Sequence, residues 1–126
     1  MQLGTRFLVA KECGVHQNYK NKVLKANDIA TMSTGKRLGH PVRSIKNPYT
    51  KEYFKLEYSN ISDEELEAYG RGSLYRAAVE GDEKTGCFLA GQIAGMVNKE
   101  QTAKEIIEEI FTQAEDVLKG ATKWVK

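Results

Sequence analysis

The stretch MQLGTRF, Met1 to Phe7, reads as a short strand that turns at Gly4, yet almost every other periodic signal in the chain is helical. A single strand cannot satisfy its own backbone N–H and C=O groups, and even an isolated hairpin is marginal in water. The expected fold class is therefore mainly α with one or two short strands. The first strand either frays or finds sheet neighbours outside these residues, in a missing portion of protein or in a second copy of the chain.

The helical signals follow in order. Val15, Tyr19, Val23 and Leu24 recur at helical spacing and predict a helix from about Val9 to Ala26, with Gly14 breaking it or delaying its start. Ile29–Thr34 and Val42–Lys46 read as extended pieces around a basic loop framed by Gly35 and Gly39. Asn47-Pro48 is a helix start, with Asn as cap and Pro at the first helical position. Ser62 to Glu65 is a capping box for a short helix closed by Gly70. Gly72-Ser73 opens another that ends at Gly81. TGCFLAGQIAGMV, Thr85 to Val97, is uncharged and predicts a buried helix with Gly91 and Gly95 one turn apart. In the last helix Thr102 and Glu105 form a capping box. Ile106, Ile107, Ile110, Phe111, Ala114, Val117 and Leu118 form one apolar stripe, read as core, and Gly120 stops it.

Composition excludes several classes. The 126 residues carry 19 basic and 17 acidic side chains for a net charge of +2, too little to argue for nucleic acid. Cys13 and Cys87 have neither CxxC spacing nor a nearby His pair, so no zinc site is expected and two free thiols in a reducing cytoplasm are. No apolar run is long enough to span a membrane, and Lys11-Glu12 interrupt Phe7–Ala10 before it could serve as a signal core.

Five motifs occur in a specific order: MQLGTRFLVAKEC, HQNYKNKVLKA, GHPVRSIKN, VEGD and AGQIAGMV. Together they make the chain closely resemble the C-terminal part of the FMN-dependent enoyl-acyl carrier protein reductases, which are grouped with the nitronate monooxygenases (2-nitropropane dioxygenase-like enzymes). The resemblance implies a C-terminal fragment of an α/β TIM-barrel flavoprotein. Residues 1–26 would be the last barrel strand and following helix, and residues 27–126 a mainly helical subdomain beside the barrel mouth. It implies an oxidoreductase that uses NAD(P)H and FMN to reduce an enoyl thioester on acyl carrier protein in fatty-acid synthesis. The alternatives are nitronate oxidation by the same family and, in a different class, a small helical interaction module without chemistry.

Site residues follow from the same resemblance. Gln2, Leu3, Gly4 and Thr5 match the strand end that grips the FMN phosphate, consistent with barrel sites lying at C-terminal strand ends. Gln92 is a candidate for hydrogen bonding to cofactor or substrate; the competing reading of AGQIAG is close backbone packing through Gly91 and Gly95. The basic loop residues Lys36, Arg37, Arg43 and Lys46 could meet NAD(P)H phosphates or an acidic carrier protein, but a solvated loop is the favoured reading. Neither His16 nor His40 matches the family histidine linked to catalysis. No catalytic residue and no metal ligand are expected in this chain. Without the upstream strands it is expected to bind neither FMN nor NAD(P)H on its own and to be inactive. Its expected partners are the missing barrel portion or a second copy of itself, as a homo-oligomer, with no nucleic acid and no membrane.

Overall fold

The computed structural model describes residues 3–124, apart from the side chain of residue 122. Its helices are α1 (Thr5–Leu8), α2 (Gln17–Leu24), α3 (Pro48–Glu57), α4 (Asp63–Gly70), α5 (Ser73–Tyr75) and α6 (Ala103–Ala121). Strands β1 (Thr31–Thr34) and β2 (Val42–Ile45) form an antiparallel pair with Thr31 opposite Ile45 and Thr34 opposite Val42. The fold is thus mostly helical with a two-stranded sheet.

Local chemistry places most of these elements. Gly35 and Gly39 adopt φ of 80° and 76°, the left-handed values that turn the basic loop between the strands. A Cβ on Gly35 would also stand 2.6 Å from the His40 carbonyl oxygen. The buried carboxylate of Glu57 holds this loop by accepting from the backbone N–H groups of Gly35 (3.2 Å) and Arg37 (2.9 Å). Asn47 and Thr50 form a reciprocal capping box at α3, and Ser62 and Glu65 another at α4. At α6 Thr102 and Glu105 cap reciprocally, through contacts of 2.7 and 3.2 Å.

Several elements differ from the sequence expectation. Leu3 lies in no strand, and Thr5–Leu8 form a helical turn after Gly4, so the expected strand does not extend through Phe7. Met1 and Gln2 lie outside the described residues. The expected helix from Val9 begins only at Gln17, where His16 Nδ1 accepts from the Asn18 N–H at 3.1 Å as an N-cap. Ahead of it the backbone of Ala10 bridges to Gln101 in parallel sense. The helix opened at Ser73 widens into a π-turn over Arg76–Glu80, and Gly81 ends it at φ 64°. Helix α6 runs past Gly120 to Ala121.

The expected buried helix over Thr85–Val97 is absent. Residues 87–90 are extended beside β2, where the Ile45 N–H donates to the Phe88 carbonyl (2.8 Å) and the Ala90 N–H to the Arg43 carbonyl (3.1 Å). The outer edge of β2 needs these partners, and that non-local demand overrides a composition equally suited to helix. Only Gln92–Met96 coil, as a 3-10 turn.

The extended segment divides two cores by its period-two alternation. Phe88 and Ala90 pack with Val9, Tyr19, Val23, Ile45 and Ala77, while Cys87 and Leu89 pack with Tyr49, Tyr53 and Leu66. Lys20 ties the ends of the chain together from a buried position. Its ammonium donates to the Ala10 (2.7 Å) and Lys11 (3.3 Å) carbonyls and pairs with Glu100 at 3.2 Å.

The α6 stripe corrects a second expectation. Ile106 is buried, but Phe111, Val117 and Leu118 stand 65%, 70% and 69% exposed. In these residues the stripe is an uncovered face, not a core.

Candidate cofactor-facing site

Helix α1 and the start of the 3-10 turn meet although they are far apart in sequence. The Thr5 Oγ1 accepts a hydrogen bond from the backbone N–H of Gly91 at 2.9 Å. This junction sits in an open pocket of about 390 Å³ lined by Gly4, Thr5, Leu8, Tyr19, Leu89, Ala90 and Gly91. Because Thr5 accepts from Gly91, its hydroxyl proton remains available to a second acceptor.

Tyr19 forms the floor, and sequence reasoning had assigned it only to a helix core face. Its hydroxyl donates to the Leu89 carbonyl at 2.7 Å, and its ring meets Phe88 edge-on with centroids 5.0 Å apart. Burial pushes its hydroxyl pKa far above the usual tyrosine value, so it stays neutral and acts as a fixed donor. Helical spacing pointed to Tyr19 as buried. Nothing local pointed to its partner at Leu89.

The expected site residues divide. Gly4 and Thr5 line this pocket, whereas Leu3 lines a neighbouring groove with Arg6, Met96 and Ile106. Gln2 lies outside the described residues. Gln92 is exposed and follows Gly91, and its side chain is not part of the pocket wall. Gly95 packs as closely as the alternative reading of AGQIAG requires, since a Cβ there would lie 2.8 Å from the backbone carbon of Asn27.

The basic loop does not converge on one anion. Arg37 pairs with Asp63 at 2.8 Å and donates to the Ser59 and Ile61 carbonyls. Arg43 donates to Thr31 Oγ1, and Lys46 to the Ile29 carbonyl at 2.7 Å. Among the described residues no cluster of three or more His, Cys, Asp or Glu could hold a metal, and no helix is long and apolar enough to cross a membrane.

The pocket sets a few polar groups beside an apolar wall. A Cβ on Gly4 would meet nothing within 4 Å, so its backbone stands open to a ligand, and at Gly91 a Cβ would sit 3.5 Å from Thr5 Oγ1. Glycine backbone and one hydroxyl supply the polar contacts, while Leu8, Leu89 and Ala90 supply an apolar wall.

Known proteins match nearly the whole chain. Residues 1–113 match the sequence model of a family described as nitronate monooxygenase. A probable nitronate monooxygenase from Bacillus subtilis (strain 168) is 23% identical over 110 residues, covering 87% of this chain and 32% of that protein. FabK from Thermotoga maritima is 36% identical, with a TM-score of 0.93 over 98% of this chain and 39% of the other. A methionine-to-alanine mutant of that FabK superposes with a TM-score of 0.81 at 33% identity, over 98% of this chain and 37% of the mutant's. The chain therefore spans about a third of the length of the curated relative and somewhat more of FabK.

Proposed function

The chain belongs to the nitronate monooxygenase family, and on that footing we propose that it forms one wall of an FMN-dependent oxidoreductase that reduces enoyl thioesters with NAD(P)H. The observation that carries the reading is the Thr5–Gly91 junction, which joins the GTRF turn to the AGQIAG segment around one open pocket. FMN, when bound, supplies the capacity to accept and pass on a hydride. The chain's own residues hold and shield it. The Thr5 hydroxyl proton and the backbone N–H of Gly4 would bind the phosphate arm, Leu8, Leu89 and Ala90 would exclude water from the ring, and Tyr19 would fix Leu89 in place.

The enoyl reading, with nitronate oxidation as the second, rests on the five ordered motifs of the sequence. The family description itself favours the second reading. No Asp, Glu, His or Lys is among the described residues that line the pocket.

The test has two arms. In the intact enzyme, Thr5→Val should weaken FMN binding, read from flavin fluorescence, by roughly tenfold (about 1.4 kcal/mol). Unchanged FMN affinity in Thr5→Val would defeat the cofactor wall. In the intact enzyme, NAD(P)H consumption with an enoyl thioester should exceed that with a nitronate; the reverse order would select the nitronate reading.

A further inference from the structure

Lys46 lines a pocket of about 450 Å³ together with Lys22 and Lys25 from the end of α2. The pocket shares no residue with the cofactor-facing one, and Glu83 is the one carboxylate among the described residues that line it. Two of the ammonium groups are held in place. Lys22 pairs with Glu83 at 2.9 Å and lies 5.2 Å from the centre of the Phe88 ring, and Lys46 donates to the Ile29 carbonyl at 2.7 Å. The exposed Lys25 ammonium has no partner among the described residues.

The hydrogen bonds already made leave this lining rich in donors. Each ammonium carries three N–H groups, of which Lys22 and Lys46 each use one in these contacts. The side-chain oxygens of Asn21 and Asn27 accept from Gln17 Nε2 (3.1 Å) and the Ile29 N–H (3.2 Å), so their amide N–H groups remain. The nearby carbonyls are taken. Those of Asn21, Val23, Asn27 and Ala30 accept from the N–H groups of Lys25, Ala26, Ala30 and Lys46. Bonded carbonyls and the adjacent lysines blunt the negative field at the C-terminus of α2. An acceptor-rich anion is the ligand that such a lining can satisfy.

We propose that this pocket binds a small organic phosphate, with the phosphate among the Lys22, Lys25 and Lys46 ammonium groups and the organic body on Ile29, Ala30 and Ile45. Lysine presents a compact point charge that suits phosphate, whereas paired recognition of a carboxylate favours the arginine fork. The volume falls within the roughly 300–1,000 Å³ of small-molecule pockets, so the whole ligand fits. Ile29 stands 68% exposed, and covering it adds apolar burial to the charge contacts. Glu83 holds Lys22 in place of the phosphate and competes with it. The Glu83 carbonyl accepts from Asn47 Nδ2 at 3.1 Å, so its backbone stays anchored when the carboxylate is displaced.

The experiment titrates the full 126-residue chain with AMP, inorganic phosphate and adenosine while following the amide resonances of Lys25, Ile29 and Lys46. AMP should shift all three saturably and bind more tightly than inorganic phosphate, and adenosine should leave them unmoved. Lys25→Gln should weaken AMP binding by roughly tenfold, a loss of about 1.4 kcal/mol. Glu83→Gln keeps the side-chain shape and removes the competing carboxylate. It should tighten AMP binding by about two- to fivefold, the worth of an exposed ion pair. Both side chains are exposed, so both variants should fold. Because the two pockets share no residue, neither result bears on the cofactor wall. Absence of saturation by AMP, equal affinity for inorganic phosphate, shifts with adenosine, or AMP affinity unchanged in either variant would overturn the proposal. A Glu-rich peptide that outcompetes AMP would overturn it as well, assigning the lysines to an acidic protein surface.

Discussion

Thr5 Oγ1 and the Gly91 backbone N–H lie 2.9 Å apart across a sequence separation of 86 residues, and their hydrogen bond fixes the mouth of the cofactor-facing pocket. Thr5→Val keeps the side-chain shape and removes the acceptor. It should destabilise the chain by about 1 kcal/mol, the usual net value of such a bond, and speed amide exchange at Gly91. Thr5→Ser should restore both. Thermal melts with residue-resolved hydrogen exchange measure the pair, and unchanged exchange at Gly91 in Thr5→Val would count against the junction.

The two glycines of AGQIAG serve different ends. At Gly95 an added Cβ would lie 2.8 Å from the backbone of Asn27 and Asp28, which cannot swing aside as a side chain can. Gly95→Ala should therefore cost about 1–3 kcal/mol, the range for overpacking. At Gly91 the nearest atom to an added Cβ is Thr5 Oγ1 at 3.5 Å, so Gly91→Ala should be the milder change in a denaturant melt. Equal losses would mean that the close approach at Asn27 relaxes freely.

These contrasts mark what the sequence could reveal. The caps at Asn47, Ser62 and Thr102, and the glycine turns at Gly35 and Gly39, are written in neighbouring residues, and each forms where read. Residues 87–90 were not legible as a strand because their partner, β2, lies some forty residues upstream and only the assembled sheet shows its open edge. Gly4, Thr5 and Gly91 stood in recognisable motifs, but no periodicity joins one motif to the other. The Leu89 carbonyl that Tyr19 holds was invisible for the same reason. In α6 the spacing revealed an amphipathic helix and not what covers it.

Glu100 gives the chain an acid-sensitive tie. Hydrogen bonds from Lys20 and then Gln17 hold its carboxyl below the usual glutamate range. A depressed carboxyl contributes stability above its unfolded-state pKa, and that contribution is lost as pH falls through the folded-state value. Glu100→Gln should lower Tm at neutral pH and lose less on acidification than the parent does through the carboxylate range. Parallel Tm–pH curves for the two proteins would show that the pair with Lys20 contributes no linkage.

Tyr49 acts at the other end of the pH scale. Burial, the largest influence, raises its pKa from 10.0 to about 12, against a hydrogen bond with Ser73 that lowers it. Unfolded chains release this proton first, so stability is fully present below pH 10 and declines as pH rises towards 12. Tyr49→Phe should flatten that alkaline decline. Denaturant melts across this window, read beside tyrosinate absorbance, measure it, and an unchanged slope would remove Tyr49 as the cause.

The uncovered stripe of α6 makes the last prediction. Phe111, Val117 and Leu118 lie on the side of the helix continued by Ile107 and stand well exposed, and large contiguous apolar patches are rare on stable monomers. A second copy of the chain would cover such a face. The isolated chain should therefore self-associate as its concentration rises. Phe111→Glu combined with Leu118→Lys should shift it to monomer, while Tm at low concentration changes little because both side chains are exposed. Sedimentation velocity over a concentration series reads the outcome. A parent chain that stays monomeric throughout would mean that this face tolerates water, and the closed helical module would become the better description of the molecule.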